Sequence, residues 1–438
     1  MKVLRLAAPV LALALLAGCQ QPAVESPSPV PSPDASPAPS YQVTTHWDAL
    51  NERPTPLVQR RYEGYTDDLI PADDYGQLVP YIGGEASAQG WGTGWYYGLA
   101  TRDGVIVTDP VFLEIEALSY YDSGARATRQ APLLILRQGG VNEDADPGDS
   151  GYYYNRYGLA AMDGAWYTGL AYSALICQSE LGALMFETGG DVVMIGLDGH
   201  ELWRWGADEI PLPNLTPQES YWGDASASGP YLNYVEHWDD EGQPSYLYVD
   251  LRTGQVLDSE PSDYPADLLY QDGMGYFNGG WYKQADGTLT IHTDDGRDYS
   301  FALPEGCDYP DINGDRVIFR PSTYTAGENQ VRSIVTDLEG NVLLRSDQYL
   351  NFIWQSWGDV SSLLYCSDFH DDGSGTSWTV STVLDLDGNE LFTTREYPQQ
   401  FGDRLLWADD AYYHLTDLEG TDLIRYPRWS SLDLPADD

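Results

Sequence analysis

The sequence predicts an all-β chain folded as a β-propeller of seven or eight blades. Three observations carry this: a hairpin unit that recurs at a steady interval, a glycine at the tip of each unit, and a near absence of helical patterning. The clearest units are 192–203, 333–344 and 382–392, each an apolar strand, a tight turn ending in glycine, and a second apolar strand. The glycine is needed because a tight hairpin turn forces positive φ, which other residues adopt at a cost. The equivalent glycines are Gly104, Gly164, Gly199, Gly254, Gly296, Gly340, Gly388 and Gly420. Their spacing averages about 45 residues, the length of a propeller blade.

Another short strand precedes some of these hairpins. It is led by Gly-Asp, as in Gly314-Asp315 before 316–319 and Gly402-Asp403 before 404–407. A lone hairpin cannot bury a face, so the extra strand and stacking against neighbours are what such a unit requires. The one stretch that fits a short helix is 114–120. The 33 Tyr, 14 Trp, 28 Pro and 44 Gly residues reinforce the all-β reading. Two packed β-sandwiches would also supply many strands, but they do not account for a regular unit.

The chain starts with Lys2 and Arg5, then an apolar run over 6–16 that is too short to span a bilayer. That is the shape of a cleavable export signal. The run ends in Leu16-Ala17-Gly18-Cys19, which resembles the lipobox of bacterial lipoproteins. The resemblance implies a signal peptide over 1–18, lipid attachment at Cys19, and anchoring by that lipid on the extracytoplasmic face of a bacterial cell membrane. Residues 19–40 are rich in Pro and Ser, with Ser26-Pro27-Ser28-Pro29-Val30-Pro31-Ser32-Pro33 at their centre. Such a segment stays extended and reads as a stalk carrying the propeller-like domain of 41–438.

With 68 acidic and 22 basic residues the formal net charge is −46. Phosphate backbones would be repelled, so nucleic acid is excluded as a partner. Beyond the signal the only lysine is Lys283. The cysteines after Cys19 are Cys177, Cys307 and Cys366. An odd number leaves at least one thiol unpaired within the chain; one disulfide is open to any two, since spacing does not place two Cβ atoms within reach.

The stretch Tyr97-Gly98-Leu99-Ala100-Thr101-Arg102-Asp103-Gly104-Val105-Ile106-Val107-Thr108-Asp109-Pro110-Val111-Phe112 resembles a WG repeat, also called KWG. In that family an aromatic-glycine pair opens a strand, Asp-Gly turns it, and an apolar strand leads to a proline and an aromatic. Residues 157–167, from Tyr157-Gly158 through Asp163-Gly164, resemble a second copy. Tyr stands where Trp is usual, and the later units lack the aromatic-glycine opening. The resemblance implies β-rich binding or scaffolding units of exported bacterial proteins, and no particular activity.

No nucleophile elbow and no phosphate loop occurs, and His46, His200, His237, His292, His370 and His414 are dispersed without metal-ligand spacing. With 68 carboxylates, pairing in sequence carries no information about glycoside chemistry. The stretch 371–378 does not fit the Asp-box of sialidase-like propellers. Calcium is the one cofactor the residues suggest, through Asp144, Asp146 and Asp149 in the loop 142–149, with a similar cluster at 311–315. Neither has the spacing of an EF-hand.

Trp91, Trp95, Tyr96, Tyr97, Tyr152, Tyr153 and Tyr154 serve either as blade filling or as stacking surface. The expectation is a lipid-anchored, non-enzymatic binding or scaffolding module for a protein or glycan partner, with specificity in 139–151 and 370–377. The rival is a surface glycan-active hydrolase or lyase using carboxylates in the propeller channel, which convergent Asp, Glu, Arg and Tyr in one deep pocket would mark. A purely structural role beside an envelope complex is a third possibility.

Overall fold

The computed structural model describes residues 77–85, 95–122, 127–141, 153–213, 215, 225–238, 243–257, 259–262, 274–277, 279–321, 331–357, 360–371, 377–395 and 397–427. All belong to the compact unit Gln42–Asp438. The export signal, Cys19 and the stalk lie outside them.

Every regular element among the described residues is a strand. β1 (Leu78–Glu85) pairs antiparallel with β2 (Trp95–Thr101). β3 (Glu114–Asp122), β4 (Ala127–Val141), β5 (Tyr153–Ala161), β6 (Tyr172–Ser179), β7 (Gly182–Glu187), β8 (Val192–Gly196) and β9 (Glu201–Trp205) form one hydrogen-bonded series. Only the pair Tyr157 and Tyr172 joins β5 to β6, so this series behaves as two sheets.

Three four-stranded meanders follow. The first is β10 (Ala225–Ser228), β11 (Tyr231–Trp238), β12 (Pro244–Asp250) and β13 (Gln255–Leu257). The second is β14 (Met274–Phe277), β15 (Gly280–Ala285), β16 (Thr288–Thr293) and β17 (Asp298–Ala302), and the third is β18 (Cys307–Asn313), β19 (Arg316–Pro321), β20 (Ser333–Asp337) and β21 (Val342–Ser346). Next come β22 (Asn351–Phe352), β23 (Trp354–Trp357), β24 (Leu363–Asp371), β25 (Ser377–Asp385) and β26 (Glu390–Thr394). β22, β24, β25 and β26 make one sheet, while β23 pairs parallel with β27 (Gln399–Phe401) of the last. β28 (Arg404–Ala408), β29 (Tyr412–Asp417) and β30 (Asp422–Pro427) complete that sheet.

The short helix expected over 114–120 is instead part of β3. Ile115 and Ala117 are buried and pair with Leu136 and Leu134, while Glu114 and Glu116 point to the other face. A period of two satisfies both the apolar and the charged residues of this stretch, and a helical period does not.

The eight turn glycines all adopt positive φ, from 71° at Gly254 to 86° at Gly340 and Gly388. Five of them are also where consecutive sheets touch. Gly199 sits against Trp166, Gly254 against Trp203, Gly340 against Phe301, Gly388 against Leu344 and Gly420 against Phe392, each a side chain from the outer segment of the preceding sheet. Absence of a Cβ is what permits this approach, since one built on Gly340 would come within 2.6 Å of the Phe301 ring.

The same contact joins the two ends of the array, with Gly104 against Leu423. Around it, Trp95 Nε1 donates to Tyr413 Oη at 2.9 Å, Arg404 Nε donates to the Arg102 carbonyl at 2.7 Å, and Arg102 pairs with Asp403. Leu99, Phe112, Leu406, Leu415 and Tyr426 share one core. Among the described residues no sheet contains strands from both ends, and side-chain contacts make the seam. A succession of small antiparallel sheets, each leaning on the next and the last on the first, is a multi-blade β-propeller; two sandwiches would show a pair of larger sheets face to face.

The two resembling segments near the start are built alike. The Leu99 amide donates to Thr108 Oγ1 at 2.8 Å and the Leu159 amide to Thr168 Oγ1 at 2.9 Å, each closing a turn made by Gly104 or Gly164. In both, a threonine hydroxyl replaces a carbonyl in the strand ladder.

Strand succession gives the array two different sides. In a four-strand meander the first and third turns lie on one side, and the second turn and the link to the next sheet on the other. The eight glycine turns are all on the first side.

Candidate functional site

Asp144, Asp146 and Asp149 lie outside the described residues, as does Cys19. In the 311–315 cluster the oxygens turn to separate partners. Asp311 pairs with Arg320 at 3.1 Å, Asn313 Oδ1 accepts the Ser361 amide at 2.8 Å, and Asp315 pairs with Arg316 at 2.7 Å. Among the described residues no group of three or more His, Cys, Asp or Glu is placed to hold a metal ion. Cys177, Cys307 and Cys366 are all free thiols, and burial pushes the Cys177 thiol up to about 12, which keeps it out of thiolate chemistry.

A Ser-His-Glu group does occur at the end of the β11–β12 hairpin. Ser245 Oγ lies 2.6 Å from His237 Nδ1, and Glu236 Oε2 lies 3.7 Å from the same nitrogen. A relay needs hydroxyl and carboxylate on opposite ring nitrogens, so this arrangement does not activate the serine.

The leading ends of β1, β3 and β27 surround a cavity of about 300 Å³. Its lining includes Glu114, Glu116, Ser119, Gln130 and Gln399, with Tyr97 and Phe401 among the apolar walls. The two glutamates share a face because alternate residues of a strand do. Directly across from Glu114, Arg137 of β4 is almost fully buried and its Nε donates to Glu114 Oε2 at 2.6 Å. A bulge between Ala117 and Ser119 then re-aims the strand, and the Ser119 amide donates to Gln178 Oε1 of β6 at 2.6 Å.

Glu116 reaches water through the cavity mouth but is walled by protein elsewhere. Desolvation, then a hydrogen bond with Glu114 and that neighbour's negative charge, push its carboxyl up to about 7 against the opposing pull of Arg137. Burial and a like charge act in the same direction on an acid. The cavity therefore holds one carboxylate satisfied by arginine and a second that ionises near neutrality.

Many other carboxylates are committed to the fold. Arg204 binds Glu187, Asp191 and Glu201 at 2.7 to 2.8 Å. In the glycine turns Asp337, Asp385 and Asp417 each accept two backbone amides. Asp385 Oδ1 takes those of Asp387 at 3.0 Å and Asn389 at 2.8 Å.

The side of the array opposite the glycine turns bears exposed aromatics. Trp238 and Tyr246 flank the end of the β11–β12 hairpin, Phe369 lies near the end of β24, and Tyr397 lies between β26 and β27. Their exposures reach 71% for Phe369, 60% for Tyr397 and 59% for Trp238. His370, the first residue of the segment expected to carry specificity, stacks on Trp378 at 5.7 Å beside Phe369.

The pair Glu114 and Glu116 escaped the sequence reading because a helix would have sent them to different faces. The signal was the alternation Glu-Ile-Glu-Ala, which is legible once the stretch is read as a strand.

No protein-family model matches the chain, and no curated protein matches it. Among solved structures it is similar to BamB from Moraxella catarrhalis, at 10% identity over 80% of this chain and 98% of that one, with a TM-score of 0.22. A structure of the eukaryotic initiation factor matches at 11% identity over 81% and 96% of the two chains, TM-score 0.26. The Dos1 propeller matches at 11% identity over 68% and 81%, TM-score 0.23. At these values the likenesses carry no argument about function, and the fold assignment rests on the order and packing of the sheets.

Proposed function

We propose that the protein is a lipid-anchored, extracytoplasmic binding or scaffolding module without chemistry of its own. In this reading Cys19 carries the lipid at a bacterial cell membrane, 19–40 is the stalk, and 41–438 is the propeller with WG-like repeats at its start. One observation carries the binding role: the exposed Trp238, Phe369 and Tyr397 fall on one side of the array, opposite the glycine turns. Large aromatics left in water on a rigid scaffold are what a protein partner or a sugar ring uses for contact.

A photo-crosslinking amino acid placed in the full chain at Phe369 or Trp238, and at Leu343 of the outer strand β21 as control, tests this in the native host. Adducts are expected at the first two positions; equal labelling at Leu343 would sink the reading. Cys19→Ala is expected to move the protein from the membrane fraction to the soluble one.

A glycan-active enzyme is the second reading, favoured by Glu114, Glu116 and Tyr97 lining one cavity. Glycosidase carboxyls stand about 5 Å or more apart to flank a sugar carbon, whereas Glu116 hydrogen-bonds to Glu114. Hydrolysis of a surface glycan by the wild-type chain, abolished in Glu116→Gln, would replace the binding reading by this one.

A further inference from the structure

We propose that the cavity at the leading ends of β1, β3 and β27 is a binding site for a single organic cation, an ammonium or guanidinium group, held by the carboxylates of Glu116 and Glu114 between the walls formed by Tyr97 and Phe401. This deepens the binding reading, on which it rests.

The charges of the cavity do not balance. The cavity wall offers two carboxylates, and Arg137, the one cation beside them among the described residues, is already bound to Glu114 at 2.6 Å. One negative charge is left over, in a chain whose net charge of −46 attracts cations from every direction. Volume comes next: about 300 Å³ is at the lower end for a ligand pocket and fits a small amine or one side chain.

The donor set then separates organic from metal cations. Two carboxylates with no third acidic, His or Cys partner among the described residues make a poor cage for a metal. An ammonium or guanidinium needs only a few acceptors, which Glu116 and Glu114 supply, and aromatic walls add attraction for such a cation.

A pH dependence follows. The ionisable groups around Glu116 are Glu114 on its own strand, Arg137 on β4 and Tyr97 on β2, while β1 and β27 contribute Pro80, Gln399 and Phe401. Since Glu116 ionises at about 7, a cation meets a mostly neutral acid at pH 6 and a mostly charged one at pH 8. Affinity should therefore rise about tenfold over that range.

The test is calorimetric titration of the full chain in detergent micelles with n-butylguanidinium chloride and n-butylammonium chloride, using neutral n-butylurea as control. Saturable binding of one equivalent of cation is expected, none of the urea, and a gain in affinity of about tenfold from pH 6 to pH 8. Glu116→Gln should weaken binding by about tenfold and flatten the pH profile. Equal binding of n-butylurea, or an affinity unchanged between pH 6 and pH 8, would overturn the proposal even if the variant fails to fold.

A short arginine-containing peptide separates the sources of the cation. If a partner protein supplies it, the peptide binds more tightly than n-butylguanidinium and Phe369→Ala weakens only the peptide; if a free amine is the ligand, the peptide gains nothing. Crosslinking at Phe369 does not depend on the cavity, so failure here is distinguishable from failure of the binding reading.

Discussion

The glycine-turn side of the array and the cavity at the leading ends of its inner strands are both rich in acid, and they use it in opposite ways. At the turns, each aspartate is surrounded by amide donors: Asp385 accepts two backbone amides and the Asn389 side chain. In the cavity, Glu114 and Glu116 face each other with a single arginine between two acids. A charge count of 68 acidic residues is therefore mute until each carboxylate is matched to its donors. Where donors surround it, an acid belongs to the fold; where they do not, it is available to something else.

The largest effect is expected at the turns. Gly340→Ala places a Cβ within 2.6 Å of the Phe301 ring at φ 86°, whereas Gly296→Ala meets open space at φ 82°. Left-handed backbone strain is common to both, so about 1–2 kcal/mol is expected at Gly296 and about 2–5 kcal/mol at Gly340, where overpacking adds. Urea denaturation of the two variants checks this; equal losses would mean the glycines serve the turn alone and not the contact between sheets.

Removing a turn acid is the next largest effect. Asp385→Ala orphans amides that remain partly open to water, for a loss of about 1–2 kcal/mol in denaturant midpoint analysis. The Asn389 hydrogen bond, opposed by some desolvation and helped by backbone amides, holds the Asp385 carboxyl below its ordinary range. Hydrogen bonds from Arg297 and then Thr293 hold Asp295, in the 293–297 turn, at about 2. Such groups stabilise the folded chain above the ordinary carboxylate range, and their contribution is lost as pH falls from about 4 towards 2.

The cavity has the opposite sign and the smallest expected effect. Glu116 is raised from 4.5 to about 7, so the folded chain holds its proton more tightly than the unfolded chain does. Its contribution is most favourable below pH 4.5 and fades as pH rises through 7. Glu116→Gln should leave stability unchanged at pH 4 and raise it by about 1 kcal/mol at pH 8, the full shift being discounted for water access to the side chain. Thermal melts of both proteins across that range decide it, and a variant less stable at pH 8 would reverse the assignment.

The repeating part of the fold was legible because its signals are local. A glycine at positive φ after Asp, Glu or Arg-Thr marks a hairpin wherever it falls, and all eight marked glycines sit in that conformation. The cavity was not legible, because it depends on which distant strands meet. Pro80, Glu116 and Gln399 come together only through the seam between the first and last sheets. Nor did spacing disclose that Asp311, Asn313 and Asp315 would turn to Arg320, Ser361 and Arg316. Oxygen-rich loops look alike in sequence, and the cation or amide that each oxygen reaches is a matter of long-range geometry.

The junction of Gly104 with Leu423 has a mechanical meaning. Elsewhere the peptide chain itself ties each sheet to the next, whereas among the described residues this junction is held by side-chain packing and by the Arg404 hydrogen bond to the Arg102 carbonyl. Breathing of the circle should begin at this point, and tension or chaotropes should pry it apart there first. Cutting the chain at another turn while covalently bridging this junction would relocate the weak spot without changing a single buried contact.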